Sequence, residues 1–205
     1  MASEVDICNL ALGNLGNPAE VSSISPQDGS VEAMHCARFY PMARKALLEM
    51  HTWGFATRRA SLALLDVTPP TAWLYAYAHP NNCLRPVRVL SAEATDDDEG
   101  EDFKNETLSD GTKVIYANTE DATLLYTHNE KDPVKFSGLF TTLLARLLSS
   151  MLAGPLIKGD TGSKIATTQT KVFYAEYAIA TGIDANSRKS NPYDGHTPAG
   201  ITARA

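Results

Sequence analysis

Few residues in this chain have the types and spacing for chemistry, and most of the apparent motifs fail on a required position. Asp160-Thr161-Gly162 spells the aspartic-protease triplet. That reaction needs two carboxylates facing each other in a β framework. Here the flanking patterns are helical, and Asp160 or Thr161 reads as a helix N-cap. Gly154 to Thr161 resembles a phosphate-binding loop, but Asp160 stands where the lysine is required and puts a negative charge against phosphate oxygens. Asp96 to Gly100 hints at a calcium loop, yet no glutamate falls at the twelfth position counted from Asp96, Asp97 or Asp98. His35, His51, His79, His128 and His196 show no metal-binding pair spacing, and Cys8, Cys36 and Cys83 form no C-x-x-C, so zinc is unsupported. His35 and Cys36 are adjacent on a helical pattern and read as packing residues. No G-x-S-x-G elbow offers a serine nucleophile. Asn105-Glu106-Thr107 fits the glycosylation pattern, with no sign of secretion around it. A carboxylate pair for glycoside cleavage is a spatial arrangement that the acidic residues leave open without singling out any two. No catalytic, cofactor-binding or metal-ligating residue is therefore expected.

Charge is concentrated in one place. The 205 residues sum to −6, but residues 91–110 hold nine acids against one base, Lys104. The rest of the chain is slightly basic. Such a segment does not grip nucleic-acid phosphates, which requires clustered Lys and Arg. It reads as a solvated loop or as a repulsive, partner-facing surface. Apolar residues at 43% and charged residues at 20% suit a globular chain with a sizeable core. Three scattered cysteines form no disulfide framework, which makes a reducing compartment the default. No uninterrupted apolar run approaches the ~18 residues of a membrane span, and Met1 to Asp6 lacks the basic start of a signal peptide.

The elements that must position these residues are mainly helical. Ser3 to Gly16 reads as a helix capped by Ser3, with Ile7, Leu10, Ala11 and Leu15 at helical spacing. A second helix runs from Ser30 to about His51, with a kink or break expected at Pro41 and a basic side of Arg38, Arg44 and Lys45. Alternating aromatics suggest extended segments near 53–57 and 73–77. From Leu84 to His128 the pattern is β, with Asp110-Gly111 as a two-residue hairpin signal in a small antiparallel sheet. Phe140 to Leu152 is the clearest amphipathic helix, broken at Gly154-Pro155. A last helix spans about Thr161 to Gly182, with Ile165, Val172 and Ile179 as its core or interface stripe. The expected fold class is thus α+β, mainly α: a helical bundle (1–65 and 137–182), an inserted antiparallel β lobe (66–136) and an extended C-terminal arm (183–205), Pro- and Gly-rich.

The order of these segments resembles a known family. "ICNLALGNLG" (Ile7 to Gly16) precedes "DGSVEAMHCARFYPMARKALLEMHTWGFATRRASLAL" (Asp28 to Leu64). "WLYAYAHPNNCLRPVRVL" (Trp73 to Leu90), the β segment and "LFTTLLARLLSSMLAGPLIKGD" (Leu139 to Asp160) follow. The set, over roughly residues 5–190, is similar to the head-to-tail adaptor proteins of tailed bacteriophages, in particular the tail tubular protein A type of short-tailed phages. The turn Leu-Ile-Lys-Gly-Asp after Pro155 is slightly longer than the family's. The resemblance implies a non-enzymatic virion protein, made in the host cytoplasm and placed at the head–tail junction. It implies a homo-oligomeric ring, commonly dodecameric, with the portal protein above and the tail nozzle protein below. DNA passes through the channel without specific binding, and no membrane or cofactor is involved. It further implies a C-terminal arm that meets the portal or a neighbouring subunit, here Arg188, Lys189, Asn191, Pro192, Tyr193, Ile201 and Arg204. Asp96, Asp97, Asp98, Glu99, Glu101 and Asp102 become candidates for a channel-lining or nozzle-facing surface. The alternative function is a tail-associated peptidoglycan hydrolase using a carboxylate pair.

Overall fold

The computed structural model describes residues 2–18, 20–94 and 100–187. The fold is α+β, with four α-helices and two small antiparallel sheets among these residues. Helix α1 (Glu4–Gly13) starts at a capping box: Ser3 Oγ accepts from Asp6 N, and Asp6 accepts from Ser3 N. Its buried side is Ile7, Cys8, Ala11 and Leu12, while Leu10, expected on the apolar face, is exposed. The loop to α2 is ordered by side chains. Asn9 exchanges two hydrogen bonds with the backbone of Val21, and Asp28 accepts from the backbone N–H and hydroxyl of both Ser22 and Ser30. Those bonds, led by the Ser30 hydroxyl, hold the Asp28 carboxyl well below the usual range.

Helix α2 (Val31–Met50) is continuous through Pro41, so of the expected kink or break the break does not occur. Pro41 is exposed, and Tyr40 just before it and Ala43 two residues after it are locked in the core, which holds the backbone helical despite the missing N–H. Trp53 has the expected extended backbone, and its side chain is buried in the helical core. Its indole Nε1 donates to Leu47 O at 2.9 Å, and its ring stands edge-on to Phe140 at 5.2 Å. A single 3₁₀ turn, Gly54–Ala56, leads into strand β1 (Thr57–Ser61).

Helix α3 (Gly138–Ile157) is the element that packs broadly against every other helix. By length and composition it could cross a membrane; its buried positions, Phe140, Leu143, Leu144, Ala145, Leu148 and Leu152 among them, lie in the core it shares with α1, α2 and the last helix. It also does not stop at Gly154-Pro155: it runs a turn further because Leu156 and Ile157 pack on the core. One residue, Lys158, separates it from α4 (Gly159–Ser187), which begins before the expected cap. Asp160 therefore sits in the first turn, where a carboxylate suits the helix dipole. The two helices come very close at Gly162, where a Cβ would lie 2.9 Å from Ala153 O. The buried stripe of α4 is Gly162, Gln169, Phe173 and Ala180. Of the expected stripe, Ile165 packs partly buried on the helical core and Val172 is half-buried, while Ile179 is exposed. α4 also continues to Ser187, five residues into the segment expected to be an extended arm; residues 188–205 lie outside the described residues.

The β region holds two sheets rather than one. The first has the order β1-β7-β3-β4, with β3 Cys83–Leu90, β4 Gly100–Glu101 and β7 Thr123–His128. The second is β2-β6-β5, with β2 Tyr75–Ala78, β5 Phe103–Thr107 and β6 Lys113–Ala117. They share one apolar cluster that includes Leu62, Tyr77, Val89, Ile115, Leu124 and Tyr126. The outer face of the second sheet, Ala76, Val114 and Tyr116, is covered by Leu65, Val67, Trp73 and Leu108. Asp110-Gly111 does join two strands, but the loop spans 108–112 rather than two residues. Leu108 N donates to Thr112 O, and Gly111 takes φ +88°. β1 lies within residues 1–65 yet pairs along its length with β7, so that stretch contributes a strand to the sheets.

Candidate interaction surfaces

Among the described residues, α4 presents a long outward-facing side. Phe173 and Ala180 point inward, Gln169 Nε2 donates to Asn14 O, and Tyr177 donates its phenolic O–H to Met50 O. Asp184 accepts from Gly54 N and lies 3.0 Å from His51 Nε2. These anchors leave the opposite side facing outward. Its first half is polar, with exposed Lys164, Thr167, Thr168 and Lys171. Its second half changes: Tyr174 (59% exposed), Ile179 (64%) and Ile183 (51%) are interleaved with exposed Ala175, Ala178 and Gly182. The charges of that half, Glu176 and Asp184, are turned toward Arg146 and His51. Isolated exposed apolar side chains are ordinary, but a charge-free stretch three turns long is not.

A second exposed apolar face lies on α2, where Val31, Met34, Pro41 and Met42 are open to solvent between Arg38 and Lys45. Methionine packs adaptably against irregular partners. α3 packs against both α2 and α4, and at the C-terminal end of α2 those two helices meet, through Tyr177 with Met50 O and Asp184 with His51.

Arg44 does not belong to the basic side of α2. It is 4% exposed, and its Nη1 donates to Glu130 O at 2.8 Å. Glu130 is itself buried, in the link between β7 and α3. Its carboxylate accepts from Arg58 Nη2 at 2.8 Å, Lys135 Nζ at 3.2 Å and the backbone N–H groups of Lys131 and Asp132. Burial alone works against its charge, but the hydrogen bonds from Asp132 N, Lys135 and Arg58 outweigh it and hold the carboxyl below its ordinary range. Nearby, burial and then Arg58 push the His128 imidazolium down. This knot ties α2, β1 and the β7–α3 link together. Sequence reasoning missed it because its partners stand 86 and 72 residues from Glu130. An acid just past a strand and before Asp-Pro was the only local sign.

Of the acidic candidates, Glu101 lies on the two-residue edge strand β4 and Asp102 follows it, both exposed. Gly100 beside them lets the Arg88 side chain pass, since a Cβ there would lie 3.2 Å from Arg88 Cδ. Asp96, Asp97, Asp98 and Glu99 fall outside the described residues, as do Arg188, Lys189, Asn191, Pro192, Tyr193, Ile201 and Arg204. Asn105 of the glycosylation pattern sits on β5, with Oδ1 2.7 Å from His79 Nε2. No protein-family model matches the chain, and no curated protein is significantly similar to it.

Proposed function

We propose that this chain is a structural ring-forming adaptor of a phage tail, of the head-to-tail connector type that its ordered segments resemble. The observation that carries the reading is the pair of unlike exposed apolar faces on α2 and α4. A ring closes through heterologous contacts, in which one patch of each copy meets a different patch of the next. Two dissimilar faces, on helices that both pack against α3, suit that geometry better than one self-complementary patch would. On this reading the small residues Ala175, Ala178 and Gly182 let a neighbouring helix approach α4 closely, and Met34 and Met42 fill against it. The finer architecture also belongs here: a helical bundle that makes the ring, a β lobe that projects from it, and a C-terminal arm that reaches the portal. The acidic rim around Glu101 and Asp102 keeps DNA phosphates from being held in the channel.

The test is particle mass, by native mass spectrometry or mass photometry, with and without the cognate portal ring. A closed multimer, alone or only on the portal, is expected. Changing Ile179 and Ile183 together to Asp should abolish it while shifting monomer stability by no more than about 0.5 kcal/mol, because both side chains face water. A chain that stays monomeric with portal present, or a double variant that still closes the ring, overturns the reading.

A further inference from the structure

Three Asp-Gly dipeptides occur in the sequence: Asp28-Gly29, Asp110-Gly111 and Asp194-Gly195, the last outside the described residues. The first two are closely matched. Each is followed by a hydroxyl residue, Ser30 or Thr112, and in each the aspartate and the glycine are exposed. Gly29 takes φ +91° and Gly111 φ +88°, and nothing lies within 4 Å of where a Cβ would stand on either. Both aspartates accept from the backbone N–H two residues on, which turns each carboxyl back over the glycine between. They differ in what else holds the carboxyl. Asp28 Oδ1 also accepts from the Ser30 hydroxyl at 2.6 Å, and its Oδ2 accepts from Ser22 N at 2.8 Å and the Ser22 hydroxyl at 3.1 Å. Both of its oxygens are thus fixed, one by the residue six before and one by the residue two after. Among the described residues Asp110 is held by Thr112 alone.

We propose that Asp110-Gly111 is a site of spontaneous backbone isomerisation to isoaspartate, and that the hydrogen bonds on Asp28 protect Asp28-Gly29 from the same reaction. Gly111 N attacks the Asp110 side-chain carbon Cγ. The N–Cγ bond forms, a Cγ–O bond breaks, and the carboxyl hydroxyl leaves with the amide hydrogen as one water. The product is a five-membered succinimide. Water then adds to one of its two carbonyls. Opening at Cγ restores aspartate. Opening at the former backbone carbonyl leaves the chain running through Cβ and Cγ, with a free α-carboxyl. Nothing is oxidised or reduced, and water is the only other reactant. Glycine favours the ring closure because no Cβ crowds the attacking nitrogen.

The carboxyl must swing onto the glycine nitrogen and give up one oxygen. At Asp28 the bonds from Ser22 and Ser30 resist this, and they hold both oxygens. At Asp110 only the tie to Thr112 and the bond from Gly111 N to Leu108 O, at 2.9 Å, stand in the way. Loss of a hydroxyl also needs the neutral acid. The bonds on Asp28, led by the Ser30 hydroxyl, hold its carboxyl well below the usual range and disfavour that form. Thr112, through its N–H first, lowers Asp110 in the same direction with fewer bonds. Isoaspartate adds one methylene to the main chain inside the 108–112 loop. Leu108 N closes that loop on Thr112 O at 2.8 Å, and the Leu108 side chain covers Val114 and Tyr116 on the outer face of the second sheet. The modification therefore acts on the hairpin that joins β5 to β6.

The test uses the full chain, incubated warm near neutral pH, digested and mapped with electron-transfer fragmentation, which tells isoaspartate from aspartate at equal mass. The peptide that holds residue 110 should split into two forms of equal mass. Its rate should exceed that at residue 28 by roughly tenfold or more, as expected for the additional hydrogen bonds that must open at Asp28. In concentrated urea those bonds are gone, and the two rates should converge. Asp110→Asn should react faster through the same succinimide, because ammonia leaves more readily than water, and Asp110→Ser should abolish the split. Unchanged aspartate at 110, equal rates at 28 and 110 in the folded chain, or the same preference for 110 in urea would each overturn the proposal. The readout needs neither portal nor ring and is independent of the adaptor reading.

Discussion

The helical region and the sheet region bury their apolar groups on different plans. The helices share one large cluster, from Ile7 on α1 to Ala180 on α4, with Trp53, Phe140 and Phe173 at its centre. The sheets divide a smaller apolar content between two clusters, one between the sheets and one on the outer face of β2-β6-β5. Much of their order comes from ladder pairing, where two-period alternation sets which side chains meet. A helical layer with one cluster tolerates polar or small outer faces, as on α4, because its stability does not depend on them. A small sheet pair cannot give up a strand in the same way. The two regions are joined by Leu84 of β3, which packs on the helical cluster, and by a polar knot, the Glu130 carboxylate and carbonyl held by Arg58, Lys135 and Arg44.

The largest effect should come from the centre of the helical cluster. Trp53→Ala removes a fully buried ring, its edge contacts with Phe140 and Tyr177, and the bond to Leu47 O. It should cost about 3–5 kcal/mol in denaturant unfolding. A loss below about 1 kcal/mol would mean that stability does not centre on this cluster.

Next is the knot between the regions. Glu130→Gln keeps the shape but leaves Arg58 and Lys135 without their anion, at a cost of roughly 1–3 kcal/mol at neutral pH, moderated because both cations reach water. The folded carboxyl lies below its ordinary value. Its contribution is therefore fully present above the unfolded pKa of about 4.3, and it is lost as pH falls through the lower folded value. Wild type and variant should converge in stability at acid pH and separate above about pH 5. A constant gap across that window would show that the carboxylate's charge is not what holds the joint.

The features open to sequence reasoning are those written in neighbouring residues. Ser3 and Ser30 as caps, the apolar rhythm of α3 and the strand runs on either side of Asp110-Gly111 are local signals, and the corresponding elements are present. What was misjudged depended on distant packing. Pro41 and Pro155 stay within helices because neighbouring elements bury the residues around them. The division of strands into two sheets is set by pairings such as Thr57 with Thr127, which no spacing announces. On α4 periodicity alone grouped Ile179 with Ile165 and Val172 in one core or interface stripe, of which Ile165 packs on the helical core and Ile179 is exposed. The close approach at Gly162 instead rotates Gly162, Gln169, Phe173 and Ala180 inward and Ile179 out. The exposed face thus became visible only once the register of α4 against α3 was known.

The turn that leads α4 back onto α3 is made by one residue, and the smallest predicted effect tests it. Lys158 alone separates α3 from α4, at φ 59° and ψ 168°, a region that costs a side-chain-bearing residue roughly 1–3 kcal/mol. Its N–H donates to Gly154 O and its carbonyl accepts from Gly162 N, so the backbone on both sides holds it there. Lys158→Gly removes the strain and keeps both bonds. It also loosens the unfolded chain, which takes back about 0.4–1 kcal/mol. The balance should be a gain of about 0.5–1.5 kcal/mol, read as a higher denaturation midpoint. Lys158→Ala keeps the strain and should stay near wild type, which separates backbone relief from loss of the ammonium group. If glycine destabilises and alanine does not, the turn is unstrained, and the close seating of α4 on α3 must be imposed by the contact at Gly162 alone.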